Sequence, residues 1–323
     1  MVKKKRGKNN NLIFFSVLAV LVLLSPAALA GKSGFEAGKN PGSFLAYSEN
    51  GLFRPLGKKN ILPPAISADR ALAVFVNLDK NTERYLFQNQ KNLSAPVASI
   101  TKLMTAIVAM ENYELSDNIV ISAGDLDRDP EIGTAGNLSA GEYWTVQDLL
   151  SSMLIESSNS AAEALAGKAG RDKFINLMNK KAVALGLTDT RFYNPTGLDI
   201  GSGFTNISSP EDLKKIAVYI MKDYPLIAEI CSTQEKDLYV QGKFHHKMKS
   251  TDVLLEEDGD YIWGKTGYTK EANGCIILIS KAPFSGLAER EYVVTVIMGA
   301  EGKAGRFEEA ARLKSWVEKS FVW

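Results

Sequence analysis

A serine and a lysine one helical turn apart stand at the head of an apolar stretch of the chain. Ser99 and Lys102 are at positions i and i+3 in SAPVASITKLMTAIVAM, which is apolar from Leu103 onward except for Thr105. On a helix such side chains share a face, with Cβ atoms about 5–6 Å apart. A helix that is apolar nearly all round is buried, and burial and the helix N-terminus both lower a lysine pKa. A neutral amine beside a hydroxyl is a general base beside a nucleophile.

The same pair has a simpler interpretation. Lys102 could extend its stem to solvent, and Ser99 could only cap the helix. Ser-x-x-Lys is a loose pattern, for which the simpler interpretation usually holds, although it occurs only once in this chain. The spacing alone leaves both interpretations open.

A second candidate group is KTG at Lys265–Gly267, near the end of a predicted strand. A strand edge offers backbone hydrogen-bonding groups to an extended substrate, and Gly267 has no side chain to block its approach. Lys265 supplies positive charge and Thr266 a hydroxyl, which together suit a carboxylate. An ordinary strand end that turns at Gly267 explains the three residues equally well.

A third candidate group is a Ser-x-Asn, which the chain offers three times, starting at Ser48, Ser116 and Ser157. The first lies in a region predicted to be a tether, and the second follows the Ser99 helix by only a few residues. The third lies at a junction between two predicted helices, which can aim side chains into a cleft. Ser157 and Asn159 are therefore the predicted pair, although SSNS could simply be an N-cap.

The elements that must position these residues form an α/β arrangement. Hydrophobic runs predict strands at Ala71–Leu78 and YLFQ, and later at Tyr261–Thr266, Cys275–Ser280 and Tyr292–Met298, before a final helix over Phe307–Phe321. Between them lie four helical segments, two of which begin at the natural N-caps Thr145 and Ser209. The predicted fold is an antiparallel sheet flanked by helices, with an all-helical subdomain inserted at about 113–244.

The N-terminal residues have the pattern of a secretory signal peptide. A basic stretch precedes the apolar run Leu12–Leu24 and the segment SPAALA, which predicts cleavage after Ala30. An uncleaved membrane anchor is the alternative, and either outcome places the remaining chain outside the cytoplasmic membrane. Residues 31–60 read as a flexible tether, and residues 61–323 as the catalytic domain.

Composition excludes several classes of function. Without its first thirty residues the chain carries 33 basic and 37 acidic side chains, a balance of −4, so nothing favours a nucleic-acid partner. Cys231 and Cys275 are predicted to be free, because two cysteines in 323 residues do not make a disulfide scaffold. No spacing of cysteines or of the two histidines, His245 and His246, suggests a metal, and no cofactor is expected.

The three groups in this order resemble the motifs of the serine D,D-peptidases, the penicillin-binding proteins related to serine β-lactamases. SSN begins 58 residues and KTG 166 residues after Ser99. The flanking segments APVASITKLMTA, LLSSMLIESSNSAAEALA, RFYNPTGLD and GKTGYTKEANGC are similar to those of the D-alanyl-D-alanine carboxypeptidases. The resemblance extends over roughly Pro63 to Trp323.

The resemblance implies a mechanism. Ser99 would attack the bond between two terminal D-alanines of a peptidoglycan stem peptide, and Lys102 would take its proton. The backbone N–H groups of Ser99 and Tyr268 would form the oxyanion hole. Ser157 would transfer a proton to the leaving D-alanine, and Asn159 would bind the substrate amide. Lys265 and Thr266, beside Gly267, would bind the terminal carboxylate. β-Lactam antibiotics would be inhibitors.

Two departures from the resemblance leave alternatives open. Many members carry a further β-rich domain that ends in an amphipathic membrane helix, and this chain stops too soon for one, so membrane contact is expected only through the N-terminal segment. The segment HHKMKSTDVLL also stands where the family usually has an asparagine-containing stretch. A D,D-endopeptidase that cuts cross-links and a serine β-lactamase are the alternative functions.

Overall fold

The structure is a computed structural model, and it describes residues 56–58, 62–127, 138–199, 203–257, 259–283 and 290–323. The predicted signal segment, residues 1–30, lies outside the described residues, as does the tether up to residue 55. Residues 56–58, which fall in the predicted tether, are described, and Leu56–Gly57 pairs with the last strand, Phe321–Val322. No helix of the described residues has the length and hydropathy that a bilayer span requires.

The strands of the described residues fall into one large sheet and four small pairings. In chain order they are β1 Leu56–Gly57, β2 Arg70–Asn77, β3 Thr82–Asn89, β4 Ala95–Pro96, β5 Asn118–Val120, β6 Tyr143–Thr145, β7 Ile207–Ser208, β8 Glu235–Val240, β9 Lys243–Lys249, β10 Tyr261–Thr269, β11 Asn273–Lys281, β12 Glu291–Ala300 and β13 Phe321–Val322. The large sheet is antiparallel in the order β10-β11-β12-β2-β3, which makes β10 an edge strand.

The helices of the described residues lie mainly between β4 and β8 and after β12. They are α1 Lys102–Asn112, α2 Ala123–Asp127, α3 Val146–Ile155, α4 Asn159–Ala169, α5 Arg171–Ala184, α6 Pro210–Asp223, α7 Pro225–Cys231, α8 Leu254–Glu257 and α9 Gly302–Ser320. A 3₁₀ turn, Ala98–Thr101, leads directly into α1.

The sheet separates two hydrophobic cores. Because neighbouring side chains of a strand point to opposite faces, Ile276 and Leu278 of β11 pack on the α9 side, whereas Ile277 and Ile279 pack on the side of α1 and α3–α7. The α1 side is the larger core, and it includes almost every side chain of α1 from Leu103 to Ala109. The predicted burial of that helix is thus present in the structure.

Most of the predicted elements are present, and the predicted class of fold is confirmed. Thr145 caps α3 by accepting a hydrogen bond from the Asp148 amide, and Ser209 caps α6, where Pro210 follows as the first helical residue. The strands at both ends of the domain and the final helix lie where the hydrophobic patterns place them. Cys231 and Cys275 are both buried and free.

The structure differs from the expected all-helical insertion in three places, one of which is β7, a short strand that pairs with β4. A short antiparallel pair, β5 with β6, and the hairpin β8–β9 lie partly or wholly within 113–244. The hairpin turns at Gln241 and Gly242, both of which have positive φ, the backbone that the tightest hairpin turns require. After the turn the chain continues as β9, which contains the two histidines. The sequence predicted neither a helix nor a strand for this segment.

Candidate active site

Ser99 and Lys102 meet on the 3₁₀ turn rather than within one α-helix. Ser99 lies in Ala98–Thr101 and Lys102 is the first residue of α1. With three residues per turn, side chains at i and i+3 of a 3₁₀ turn eclipse one another, and Lys102 Nζ lies 2.8 Å from Ser99 Oγ. The Lys102 side chain is fully buried, whereas Ser99 is half-buried and therefore accessible.

Two further oxygens contact the Lys102 ammonium. It donates to Asn159 Oδ1 at 2.7 Å and to the Thr196 carbonyl at 2.9 Å. Amide and backbone carbonyl oxygens can only accept, whereas the Ser99 hydroxyl can also donate. If Lys102 loses one proton, the Ser99 hydroxyl is thus the one of these three partners that can direct a proton at the freed lone pair.

The segment Ser157–Asn159 serves both as a helix cap and as part of the site. Ser158 caps α4 by accepting a hydrogen bond from the Ala161 amide at 3.2 Å. Ser157 has φ of +65°, a backbone conformation that few non-glycine residues adopt. It turns the Ser157 hydroxyl to within 3.1 Å of Lys265 Nζ, while Asn159 faces Lys102.

The other described Ser-x-Asn lies apart from these contacts. Asn118 begins β5 and is exposed, and Asp117 pairs with Lys168 at 3.3 Å. The first such pattern, at Ser48, lies outside the described residues. The structure therefore brings Asn159 to Lys102 and Ser157 to Lys265, whereas Asn118 lies exposed on β5.

Lys265 and Thr266 lie on the free edge strand β10. Lys265 is 1% exposed, and burial lowers its pKa to about 8, although Cys231 and Asp252 nearby act in the opposite direction. Thr266 Oγ1 lies 2.7 Å from Thr251 Oγ1, which fixes its orientation from the segment after β9. Since β10 pairs only with β11, its other edge leaves backbone groups for an extended ligand.

Gly267 allows β10 to approach the nucleophile turn. A Cβ at Gly267 would lie 2.9 Å from the Ser99 amide nitrogen and 3.0 Å from Ala98 Cβ, closer than such atoms pack. The absence of a side chain therefore holds the Ser99 amide next to the start of Tyr268, which is 36% exposed at the strand edge. The Ser99 amide therefore lies at the edge of β10, beside Gly267.

The loop in the segment RFYNPTGLD, for which the sequence predicted no role, completes the surroundings of Lys102. Asn194 Oδ1 accepts hydrogen bonds from Thr196 and from the Gly197 amide at 2.7 Å, which folds the loop so that the Thr196 carbonyl faces Lys102. Gly197 has φ of +88°, and a Cβ there would lie 1.9 Å from the Ala98 carbonyl oxygen. The Asn-Pro-Thr-Gly sequence is a turn signal that could have been recognised.

The side chain of Asn206 connects this loop to the nucleophile turn by hydrogen bonds. Its Nδ2 donates to Thr101 Oγ1 at 3.0 Å and to the Asn194 carbonyl at 2.9 Å. Its Oδ1 accepts from the Tyr193 amide at 2.7 Å. Asn206 is fully buried, so its amide group links the nucleophile turn to the loop that carries Thr196.

Two buried charged residues near Lys265 were also not predicted. Burial raises the pKa of Asp252 to about 6, and Asp252 Oδ2 has no hydrogen-bond partner among the described residues. Burial also lowers the pKa of Arg306 on α9, whose Nε and Nη1 likewise have no partner in the described part of the chain. Lys265, Asp252 and Arg306 interact electrostatically, so the charge of each affects the others.

The described residues contain no group of three or more histidine, cysteine, aspartate or glutamate side chains that could hold a metal ion. The site instead joins the buried Lys102 amine to the Ser99 hydroxyl and the Asn159 amide, and Lys265 to the Ser157 hydroxyl, with the Ser99 amide beside Gly267. Such a set can activate a hydroxyl, stabilise an oxyanion and transfer a proton to a leaving group.

Comparisons with known proteins identify the family of the chain. A family model described as D-alanyl-D-alanine carboxypeptidase matches residues 58–302. The D-alanyl-D-alanine endopeptidase of Escherichia coli strain K12 is 31% identical over 268 residues, covering 80% of each chain. The D-alanyl-D-alanine carboxypeptidase DacB2 of Mycobacterium tuberculosis is 29% identical over 254 residues, covering 77% of this chain and 82% of that protein.

A solved structure shares the fold. The crystal structure of the Streptomyces K15 DD-transpeptidase aligns with a TM-score of 0.70 and 26% identity, over 80% of this chain and all of that chain. The family resemblance inferred from the three motifs is therefore confirmed.

Proposed function

The chain belongs to the D-alanyl-D-alanine carboxypeptidase family and is a serine-type peptidase, and from that premise we propose that it removes the terminal D-alanine from peptidoglycan stem peptides through an acyl-enzyme on Ser99. The observation that carries the proposal is the position of the buried Lys102 amine, which contacts both Ser99 Oγ and Asn159 Oδ1. A general base within hydrogen-bond distance of a half-buried hydroxyl is the first requirement of nucleophilic catalysis.

In the acylation step, Ser99 Oγ forms a bond to the carbonyl carbon of the penultimate D-alanine while its proton passes to Lys102 Nζ. The carbonyl oxygen becomes an oxyanion between the amides of Ser99 and Tyr268, and each such donor contributes about 2.7–4 kcal/mol in comparable sites. The C–N bond then breaks, and the leaving amine receives a proton through the Ser157 hydroxyl. The products are the Ser99 ester and free D-alanine.

Deacylation reverses the proton movements. A water molecule attacks the ester carbon as Lys102 accepts its proton, and the Ser99 oxygen leaves and recovers a proton. The free stem peptide and the initial state of the site result, with no net change in protons. The same lysine thus acts as base in both halves of the reaction.

Recognition of the terminal carboxylate is proposed for Lys265 and Thr266. Lys265 must be charged to attract a carboxylate, and its buried position makes an ion pair with the ligand stronger than at a solvent-exposed surface. Thr266 offers a hydroxyl on the same edge strand, and Arg306 adds a second cation that interacts with Lys265. An extended peptide along the β10 edge then places its penultimate carbonyl near Ser99.

A D,D-endopeptidase that cuts cross-linked stem peptides is the second candidate. The observation that favours it is the 31% identity to the E. coli D-alanyl-D-alanine endopeptidase over 80% of both chains. Both activities break a D-alanyl bond by the same acylation, and they differ in the leaving group. For the endopeptidase the leaving group is the amine of a residue on the neighbouring stem peptide, to which the D-alanine carbonyl is joined, rather than free D-alanine.

One experiment separates the two candidates. The purified full chain is given, in separate reactions, an uncross-linked pentapeptide stem and a cross-linked stem dimer, and products are identified by mass spectrometry, with Ser99→Ala as the matched control. Release of free D-alanine from the pentapeptide at a higher kcat/KM than dimer cleavage supports the carboxypeptidase. Faster cleavage of the dimer replaces it with the endopeptidase, and products that persist with Ser99→Ala contradict both.

The family acts on peptidoglycan, which places the protein outside the cytoplasm. We further propose that the signal segment is cleaved after Ala30, as its small residues predict. Mass spectrometry of the mature protein from cells tests this: an N-terminus at Gly31 supports cleavage. A full-length protein that remains in the membrane fraction would establish the N-terminal anchor instead.

A further inference from the structure

The only two histidines of the chain form a continuous chain of hydrogen bonds with two glutamates. His245 and His246 are consecutive on β9, and their Nδ1 atoms lie 2.7 Å apart. His245 Nε2 lies 3.2 Å from Glu142 Oε1, and His246 Nε2 lies 3.0 Å from a Glu156 oxygen. The four side chains are mostly buried, with exposures from 10% to 26%.

Both carboxylates have additional donors, so both act as acceptors. Glu142 Oε2 accepts from Trp144 Nε1 at 3.0 Å and from the Ser139 amide at 2.8 Å. Burial alone raises the pKa of Glu142, but the hydrogen bonds from Ser139, Trp144 and His245 together hold it below its usual range. On the other side, Glu156 Oε1 accepts from the Ser152 hydroxyl at 2.7 Å.

These contacts determine how many protons the two imidazoles carry. Each Nε2 must hold a proton to donate to its glutamate. A hydrogen bond between the two Nδ1 atoms needs one proton and one lone pair. All of these contacts are hydrogen bonds at the same time only when the pair holds three protons, one more than two neutral imidazoles.

Neither a gain nor a loss of one proton preserves all of these bonds. A fourth proton on the pair makes both Nδ1 atoms donors, so that two N–H groups face each other at an Nδ1–Nδ1 distance of 2.7 Å. Loss of the shared proton leaves either two facing lone pairs or an Nε2 without a proton toward its glutamate. The complete set of bonds thus exists in one protonation state of the pair.

The histidine pair is connected to two groups of the active site. Glu156 is the C-cap of α3 and directly precedes Ser157, whose φ of +65° turns its hydroxyl to Lys265. On the other side, β9 leads to Thr251, which donates its amide to the Ile155 carbonyl at 3.2 Å and contacts Thr266 through its hydroxyl. The His246–Glu156 bond therefore joins the segment that carries Ser157 to the one that orients Thr266.

Few other charged groups of the described residues face the pair. From β8, Lys236 donates to Ser151 Oγ of α3 at 3.2 Å, one residue from Ser152. From the β5–β6 side, the Trp144 ring meets the His245 ring at a centroid distance of 5.2 Å. Lys247 of β9 is exposed and pairs with Glu235, so it belongs to the outer face of the hairpin.

We propose that His245 and His246 are positioning residues, an imidazole pair that shares one proton and holds Glu156 so that Ser157 stays aligned with Lys265. Acylation of Ser99 then depends on the complete set of bonds, although neither histidine touches the reacting groups. This inference rests on the proposed function, because it assigns a supporting role to residues that do not touch the substrate.

The first test does not depend on peptidase activity. The full chain with ¹⁵N-labelled histidine gives imidazole NMR signals from this pair alone, because the sequence holds no other histidine. A shared proton predicts two titration steps separated by more than about one pH unit, as expected for strongly coupled groups. Both rings titrating together in one step near about pH 6.5 would contradict the shared proton.

The second test measures the rate of penicillin acylation at Ser99 against pH. In His246→Gln, which keeps a donor toward Glu156 but cannot share a proton with His245, the optimum rate should fall by up to about 10²-fold. Lys247→Gln, on the outer face of the same strand, is the matched control and should keep the wild-type profile.

The outcomes distinguish this inference from the proposed function. If folded His246→Gln keeps the wild-type rate and pH profile, the positioning role is wrong. If His246→Gln does not fold, Glu156→Gln provides the same comparison, because it removes the carboxylate with little change in shape; an unchanged acylation rate in that variant overturns the proposal. A wild-type chain that reacts with neither penicillin nor stem peptides contradicts the proposed function, and the positioning role falls with it, although the NMR titration still decides the shared proton.

Discussion

The ammonium group of Lys265 donates a hydrogen bond of 3.1 Å to the hydroxyl of Ser157. A charged lysine has only donors, so the Ser157 oxygen must accept in this contact, and its own proton is left to point elsewhere. That proton is the one the proposed mechanism passes to the leaving D-alanine. The contact therefore makes the charge of Lys265 relevant to catalysis as well as to carboxylate binding.

Activity should fall as the pH rises through the pKa of Lys265. Burial lowers that pKa to about 8, so the ammonium form is lost above this pH. We expect kcat/KM for D-alanine release to decrease above about pH 8, mainly through a higher KM for carboxylate-terminated substrates. Steady-state kinetics from pH 6 to 10 measure this, and a constant kcat/KM up to pH 10 would contradict it.

Asp252→Asn provides a matched variant for this limb. The Asp252 carboxylate raises the pKa of Lys265, so its removal should move the alkaline loss of activity to lower pH.

The stability of the protein should change as well. Burial raises the Asp252 pKa to about 6, so between about pH 4 and 6 the native state binds more protons than the unfolded chain and loses stability as pH rises. Asp252→Asn removes this cost, and thermal unfolding at pH 7 should show a higher Tm.

The lysine contributes to stability with the opposite sign. Because the Lys265 pKa is lower in the folded state than its ordinary value of 10.5, the unfolded chain binds more protons between about pH 8 and 10.5. The contribution of Lys265 to stability therefore rises with pH in the same range in which activity falls. The two effects together predict that activity is lost above about pH 8 while the protein remains folded.

Local spacing explains which parts of the site could be predicted from sequence. Ser99 and Lys102 are three residues apart, and Ser157 and Asn159 two, so their pairing follows from one turn of backbone. The Thr196 carbonyl contacts Lys102 although it is 94 residues away in the sequence. Because every residue has a backbone carbonyl, the type of residue at this position does not predict the contact. Asn206, which supports that loop, was equally invisible because any polar residue in a loop has simpler explanations.

The fold shows the same division. The strands of the large sheet carry long apolar runs, and their positions were predicted within a few residues. Most of the side chains of the hairpin β8–β9 are polar or charged, so no apolar period marks it. Its turn at Gln241–Gly242 lacks the Asn-Gly or Asp-Gly pair that usually indicates such a hairpin. The histidine pair was therefore visible as two residues but not as part of a strand.

Replacement of Lys102 by arginine should abolish acylation while the protein remains folded. Lys102→Arg keeps a cation near Asn159 Oδ1, but a guanidinium with pKa above 12 cannot act as a base. We expect the acylation rate of Ser99 by penicillin to fall by about 10²–10⁴-fold, the usual contribution of general base catalysis. Circular dichroism establishes folding, and a folded variant with a near-normal rate would show that Lys102 is only a structural cation.

The choice among the Ser-x-Asn patterns makes a second mutational prediction. Asn159→Ala removes an acceptor that lies 2.7 Å from Lys102 Nζ and should raise the barrier to acylation by about 2.7–4 kcal/mol, as for other positioned polar groups. Asn118→Ala changes an exposed residue of β5 and should stay within about 0.5 kcal/mol. The two variants are compared by kcat/KM at equal stability, and a larger loss with Asn118→Ala would reverse the assignment.

Gly197 should tolerate no side chain because it lies against the nucleophile turn. Gly197→Ala places a methyl group 1.9 Å from the Ala98 carbonyl oxygen, at a φ of +88°. Gly186→Ala, also at positive φ but with open space around it, carries only the backbone strain, roughly 1–2 kcal/mol. We expect Gly197→Ala to lose more stability in urea unfolding and to lose penicillin acylation, which Gly186→Ala should retain. Equal effects of the two would show that the nucleophile turn can move aside.

The last prediction separates a peptidase from a β-lactamase by the lifetime of the penicillin adduct. Both should be acylated at Ser99, but rapid hydrolysis needs a group that activates water against the acyl-enzyme, which in one large β-lactamase class is a glutamate. No glutamate occurs between Ala164 and Pro210, where the resemblance would place it. Glu163, just before this range, is buried and held by Arg171 at 2.8 Å.

We therefore expect penicillin to remain bound to Ser99 while stem peptides are turned over. Intact-mass spectrometry of the purified chain after mixing with penicillin should show a penicilloyl adduct that persists over hours, and Ser99→Ala should show none. Under the same conditions D-alanine release from stem peptides should continue through many turnovers when no antibiotic is present. Consumption of penicillin over many turnovers without an accumulated adduct would make a β-lactamase the better description, because only an activated water could clear the ester that fast.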